Sequence, residues 1–223
     1  MIFCIIFLKK INTITLKVFF IYTIFSVLFL LSSLLALSFF KSSYFYLSTV
    51  KIFLMFEFII ICTFYNSIFK NKKLNQSLTL IPIFFVSFCI YNFYTTSKIE
   101  FDFTPLVLEC LFFTIVILYF FYERIMHNFI VPLYQLPSFW ISVAFLVYFS
   151  GNFFLFLFTK LMENEPGFIN QYTLIYSSIT ILKNILLCTA LIVNKNLIIS
   201  TDNSSIIPNL SMGNIKMFDN QTN

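Results

Sequence analysis

Six apolar runs alternate with short polar stretches along the chain, at residues 18–40, 48–69, 78–94, 104–122, 138–158 and 172–193. Each is close to the roughly 17–25 residues that carry a helix across a hydrocarbon core about 30 Å thick. The runs are apolar all round and lack the period-two alternation of barrel strands. They therefore predict an all-α fold, an integral membrane bundle of six transmembrane helices. Asp102 and Thr104 are candidate caps for the fourth span, and Pro105 suits its first turn. Pro137 plays the same part before the fifth. Between these two spans, "ERIMHNFIVPLYQLP" (123–137) is broken by Pro132 and reads as an interfacial connection.

Composition supports the same solvent. Hydrophobic residues make up 60% of the chain and charged residues 10%, and the mean hydropathy is +0.93. Soluble domains carry about 25% charged residues, so this chain could not cover a water-facing surface. The 34 Phe and three Gly fit lipid-facing helices rather than a turn-rich barrel. Cys4, Cys62, Cys89, Cys110 and Cys188 show no CxxC spacing, which argues against a zinc site or a disulfide framework. No cofactor is expected.

Charge sets the expected orientation. With six spans, one side of the membrane holds Lys9, Lys10, Lys17, Lys70, Lys72, Lys73, Arg124, Lys195 and Lys216; the other holds only Lys41, Lys98 and Lys160. Positive residues mark the cytoplasm, so both termini are expected inside. Residues 1–17 then form a cytoplasmic N-terminal segment, 18–193 the transmembrane domain, and 194–223 a disordered cytoplasmic tail. The net charge of +5 comes without a long basic cluster, so nucleic acid is not an expected partner.

Three ionisable groups interrupt the runs: Glu57, Glu109 and Lys183, the last beside Asn184. A charge at the bilayer centre costs about 2.5–3.5 kcal/mol on insertion scales, so such residues face protein or a cavity. Glu57 is expected roughly 8–13 Å below the outer boundary at about 1.5 Å per residue. Lys51 is six positions away, about 240° around the helix, and is not its expected partner. Tyr176, Ser177, Thr180, Lys183 and Asn184 fall within one sector of the sixth helix, which places a Glu57/Glu109/Lys183/Asn184 polar cluster within geometric reach. With two acids and one base, one carboxyl is expected to stay protonated. Two readings stand: a carboxyl bonded structurally to a neighbouring Tyr or Ser hydroxyl, or a ligand or proton site. Trp140 reads as an interfacial anchor, and Ser150–Gly151 as a small patch for close helix contact. His127 has no metal-ligand neighbours in sequence and reads as an ordinary interfacial residue. No GxSxG, HExxH or phosphate-cradling glycine loop occurs, so the chain is not expected to be an enzyme.

The stretch "PSFWISVAFLVYFSGNFFLFLF" (137–158) resembles a family of small, uncharacterised bacterial membrane proteins of six to seven spans. The resemblance rests on Phe139, Trp140, Ile141, Tyr148, Phe149, Ser150, Gly151, Phe153 and Phe154. Glu57, Phe58, Phe64 and Tyr65 match a second landmark and Asn184 a third; Lys183 lies outside the pattern. It implies a bacterial inner-membrane protein, often associated with sensor-kinase genes, and suggests a seventh span whose inner end would be residues 1–8. The expected partners are the lipid bilayer and a membrane protein such as a sensor kinase, or further copies of the chain. The expected function is a non-enzymatic signalling or accessory component; the alternative is a small transporter or proton-coupled carrier using the intramembrane carboxylates.

Overall fold

The computed structural model describes residues 14–35, 43–95, 102–126, 132–162 and 167–205. His127, Cys4 and the proposed inner end of a seventh span lie outside the described residues. Among the described residues six long helices follow one another: α1 (Ile14–Leu35), α2 (Ser43–Ile68), α3 (Lys72–Thr95), α4 (Thr104–Met126), α5 (Pro137–Met162) and α6 (Phe168–Ser205). A 3₁₀ turn, Leu133–Gln135, precedes α5. Five of the helices, α2 to α6, are long and apolar enough to cross a membrane; α1 contributes a shorter apolar stretch, Lys17–Ser32.

Helix ends follow local chemistry. Asp102 Oδ1 accepts hydrogen bonds from the Thr104 backbone N–H at 3.0 Å and its hydroxyl at 2.6 Å, while Asn92 Nδ2 donates to Asp102 Oδ2 at 2.7 Å. One carboxylate thus caps α4 and ties it to the end of α3. Between α2 and α3, Asn71 Oδ1 accepts from the Lys73 N–H at 3.1 Å and Asn75 Nδ2 donates to the Phe69 carbonyl at 3.1 Å, closing a tight turn. Helix α3 begins at Lys72 rather than 78 because nothing between them breaks a helix; only the apolar count starts late.

Helix α6 departs furthest from the sequence expectation. Its helical backbone continues through Val193 to Ser205, so residues 194–205 are helical where disorder was expected. The apolar pattern stops at Asn194, but no Gly or Pro occurs before Pro208, and loss of hydrophobicity alone does not end a helix. Residues 206–223 lie outside the described residues.

In lipid, apolar surface gives helices no reason to associate; packing shape and interhelical hydrogen bonds decide which faces meet. Here α2 and α5 hold the centre. Phe58 of α2 stacks on Phe85 of α3 at 3.9 Å between centroids and meets Phe113 of α4 at 4.9 Å. Phe113 meets Phe149 of α5, also at 4.9 Å. Tyr65 of α2 donates to Ser142 of α5 at 3.2 Å, both fully buried. Each aromatic pair contributes roughly 0.5–1.5 kcal/mol beyond area burial. The outer faces carry exposed Leu, Ile, Phe and Tyr, for example Ile83, Phe84, Leu174 and Ile185, as a lipid environment requires. Helix α3 is the most peripheral, with only Leu78 and Cys89 buried and Pro82 inside it. Between α2 and α3 lies a cleft of about 490 Å³, lined by residues including Cys62, Asn66, Thr79 and Pro82.

Candidate functional site

Three charged residues of the apolar runs turn inward. Glu57, Glu109 and Lys183 expose 3%, 3% and 7% of their surfaces, which decides that none faces lipid. Glu57 lies near the middle of α2, about 21 Å from Ser43 at ~1.5 Å per residue, deeper than the sequence boundary implied, because α2 begins earlier. Lys51 is directed elsewhere; its ammonium sits over the Phe93 ring at 4.8 Å.

The group that joins the charges is Tyr22 of α1. Its hydroxyl donates to Glu57 Oε1 at 3.0 Å and accepts from Lys183 Nζ at 3.2 Å. The ammonium also lies over the Tyr148 ring, 4.0 Å from its centroid, where the ring's negative face favours a cation. Phe145 meets the Tyr22 ring edge-on at 5.2 Å and fixes its orientation. The chain Lys183–Tyr22–Glu57 therefore crosses from α6 through α1 to α2, with α5 forming the wall. A phenol is suited to this position because one O–H can donate while its oxygen accepts.

Glu109 belongs to the same interior but not to this chain of hydrogen bonds. It lies within electrostatic reach of Glu57 and of three thiols, Cys62, Cys89 and Cys110. Its Oε1 is buried with no hydrogen-bond partner. Asn184, expected in the cluster, is exposed on the surface of α6. The buried stripe of that helix runs through Lys183, Leu187 and Ala190, and Asn184 stands about 100° away from Lys183 around the axis. The sector drawn from the sequence was too wide; Ser177 is exposed for the same reason.

Gly151 faces α6: a Cβ built on it would lie 2.9 Å from Ile179 Cδ1, so α5 and α6 approach closely there. Ser150 turns back on its own helix and donates to the Leu146 carbonyl at 2.6 Å. Trp140 Nε1 donates to the Tyr134 carbonyl at 2.8 Å, pinning the 3₁₀ turn to the start of α5.

Sequence reasoning missed Tyr22 and Asn152. Tyr22 is one of 12 tyrosines among 34 phenylalanines, with no local mark. Asn152 is fully buried, and neither its Oδ1 nor its Nδ2 has a partner. Its signal was available: it stands two turns after Phe145 on the buried face of α5. Among the described residues, no group of three or more His, Cys, Asp or Glu side chains is arranged to hold a metal. No family model, curated protein or solved structure matches the chain.

Proposed function

We propose that this is a multi-pass protein of a bacterial cytoplasmic membrane, with both termini inside, serving as a non-enzymatic signalling or accessory component. The observation that carries the reading is the buried Lys183–Tyr22–Glu57 connection between α6, α1 and α2. A buried charge pair bridged by one phenol is sensitive to anything that shifts one of its helices, because an unpaired charge in low dielectric is costly. Helix α6 holds Lys183 in the interior and runs on unbroken to Ser205, so a change at the network has a continuous helix along which to reach a partner. The resemblance to proteins associated with sensor kinases supplies the partner class. The test is co-reconstitution in liposomes with the sensor kinase encoded nearest to it. The expected result is kinase autophosphorylation that changes when the chain is added, with the change lost for Lys183→Met. Kinase activity indifferent to the chain overturns the reading.

A second reading, a proton-coupled carrier, is favoured by the unpartnered Glu109 carboxyl oxygen beside this network. Substrate-dependent acidification of liposomes carrying the chain alone would select it.

A further inference from the structure

The cleft between α2 and α3 opens sideways, through the exposed faces of the two helices. Buried Cys62 and Leu78 belong to its floor, and exposed Ile59 and Thr63 of α2 and Ile83 and Ser87 of α3 to its rims. Its hydroxyls are already engaged: Thr63, Thr79 and Ser87 each donate to a carbonyl of their own helix at 2.8 Å. Asn66 Nδ2 reaches across to Thr79 Oγ1 at 3.4 Å. What remains is a largely apolar cleft of about 490 Å³. It offers water few partners, and left empty it forgoes contacts along its whole lining. In a bilayer the group that lies against such a cleft is an acyl chain.

Depth and charge narrow the occupant further. From Leu78 to Ser87 the cleft follows α3 for roughly 13 Å at the α-helical rise. That is close to half of a hydrocarbon core about 30 Å thick, the share of one leaflet. Lys72 lies about 9 Å beyond Leu78 along the same helix, at headgroup level. It also stands on the face that lines the cleft, within about 20° of Thr79 around the axis. Lys73 adjoins it, and Lys70 follows Asn66 by one turn's worth of chain; all three lysines are exposed. No Asp or Glu occurs between Glu57 and Glu100, and Glu123 of neighbouring α4 stands in the field of Arg124 beside it. The N-terminus of α3 adds its positive dipole end at the same place. A positive mouth therefore sits over an apolar slot one leaflet deep.

We propose that the α2–α3 hairpin binds a single anionic phospholipid, with one acyl chain in the cleft and the phosphate on Lys72, flanked by Lys73 and Lys70. Basic residues at the headgroup level select anionic over zwitterionic lipid, while the cleft makes the site saturable. The site goes beyond the signalling and carrier readings and depends on neither.

The experiment is native mass spectrometry of the full chain in neutral detergent, titrated with dioleoylphosphatidylglycerol and separately with dioleoylphosphatidylcholine. The expected result is one phosphatidylglycerol that binds saturably and about tenfold or more tighter than phosphatidylcholine. Lys72→Gln should weaken it about fivefold, the factor one basic residue contributes beside an anionic headgroup. Thr63→Phe and Ser87→Phe fill the cleft from α2 and from α3. Both positions are exposed, so each variant should melt like wild type without lipid yet lose the bound phosphatidylglycerol. Equal affinity for the two lipids overturns the site, as do adducts that accumulate without saturation, the mark of bulk attraction to a positive surface. Undiminished binding in a folded cleft-filling variant also overturns it. So does a lipid-free dimer that Thr63→Phe dissociates, which would give the cleft to a second copy of the chain.

Discussion

Tyr22→Phe removes one oxygen and leaves the ring, so it isolates the bridge from the packing. The Phe145 edge contact at 5.2 Å is retained, and so is the Lys183 ammonium over Tyr148 at 4.0 Å. What disappears is the 3.0 Å bond to Glu57 and the 3.2 Å bond from Lys183. Interhelical hydrogen bonds in membranes average about 0.6 kcal/mol and reach about 1.7. Two of them, each with an ionisable partner, set the expected loss at roughly 1–3 kcal/mol. A double-mutant cycle with Lys183→Met separates the bridge from each residue's own burial, because contacting residues couple by about 0.5–3 kcal/mol whereas independent ones add within about 0.3–0.5. The assay is reversible unfolding in mixed micelles, read by tryptophan fluorescence from Trp140, the single Trp. Additive losses from Tyr22→Phe and Lys183→Met would refute the bridge.

Three further outcomes are expected. Gly151→Val should destabilise by about 1–3 kcal/mol through overpacking, since even a Cβ would meet Ile179 Cδ1 at 2.9 Å; wild-type melting of this variant would contradict the close approach of α5 and α6. Asp102→Ala should cost about 0.5–2 kcal/mol as a lost cap and should loosen the α3–α4 connection in hydrogen exchange; an unchanged exchange pattern would count against the double role of this carboxylate. Reporter fusions after Lys73 and Lys195 should report cytoplasm and those after Lys98 and Lys160 the outside; an outside signal at Lys195 would remove the proposed topology.

The helices were legible because lipid as a solvent leaves a coarse trace, an apolar run of the right length. Glu57, Glu109 and Lys183 were legible for the same reason: a charge stands out against such a run. Their connection was not. Tyr22 is amphipathic and resembles its aromatic neighbours until a partner helix defines which end of it is wet or bonded. Asn152 follows Gly151 in a stretch whose obvious feature is its small residues, which drew attention from the amide. Asn184 misled in the opposite way, since adjacency to Lys183 in sequence places it on a different face of the helix. Helix ends were read least well where polarity and helicity part company, at Lys72 and beyond Val193. There the backbone remains helical where the sequence is no longer apolar.

Pro82 gives α3 a different standing from its neighbours in time as well as in space. It has no N–H for the Leu78 carbonyl, and the helix around it buries only Leu78 and Cys89. Opening free energies within one protein range from near zero to the global value, and low contact density marks the low end. The outer half of the α2–α3 hairpin should therefore exchange its amides earliest, while the segments of α2 and α5 around Tyr65 and Ser142 exchange last. By the same argument α3 is expected to be the last helix to dock, with Phe85 closing onto Phe58.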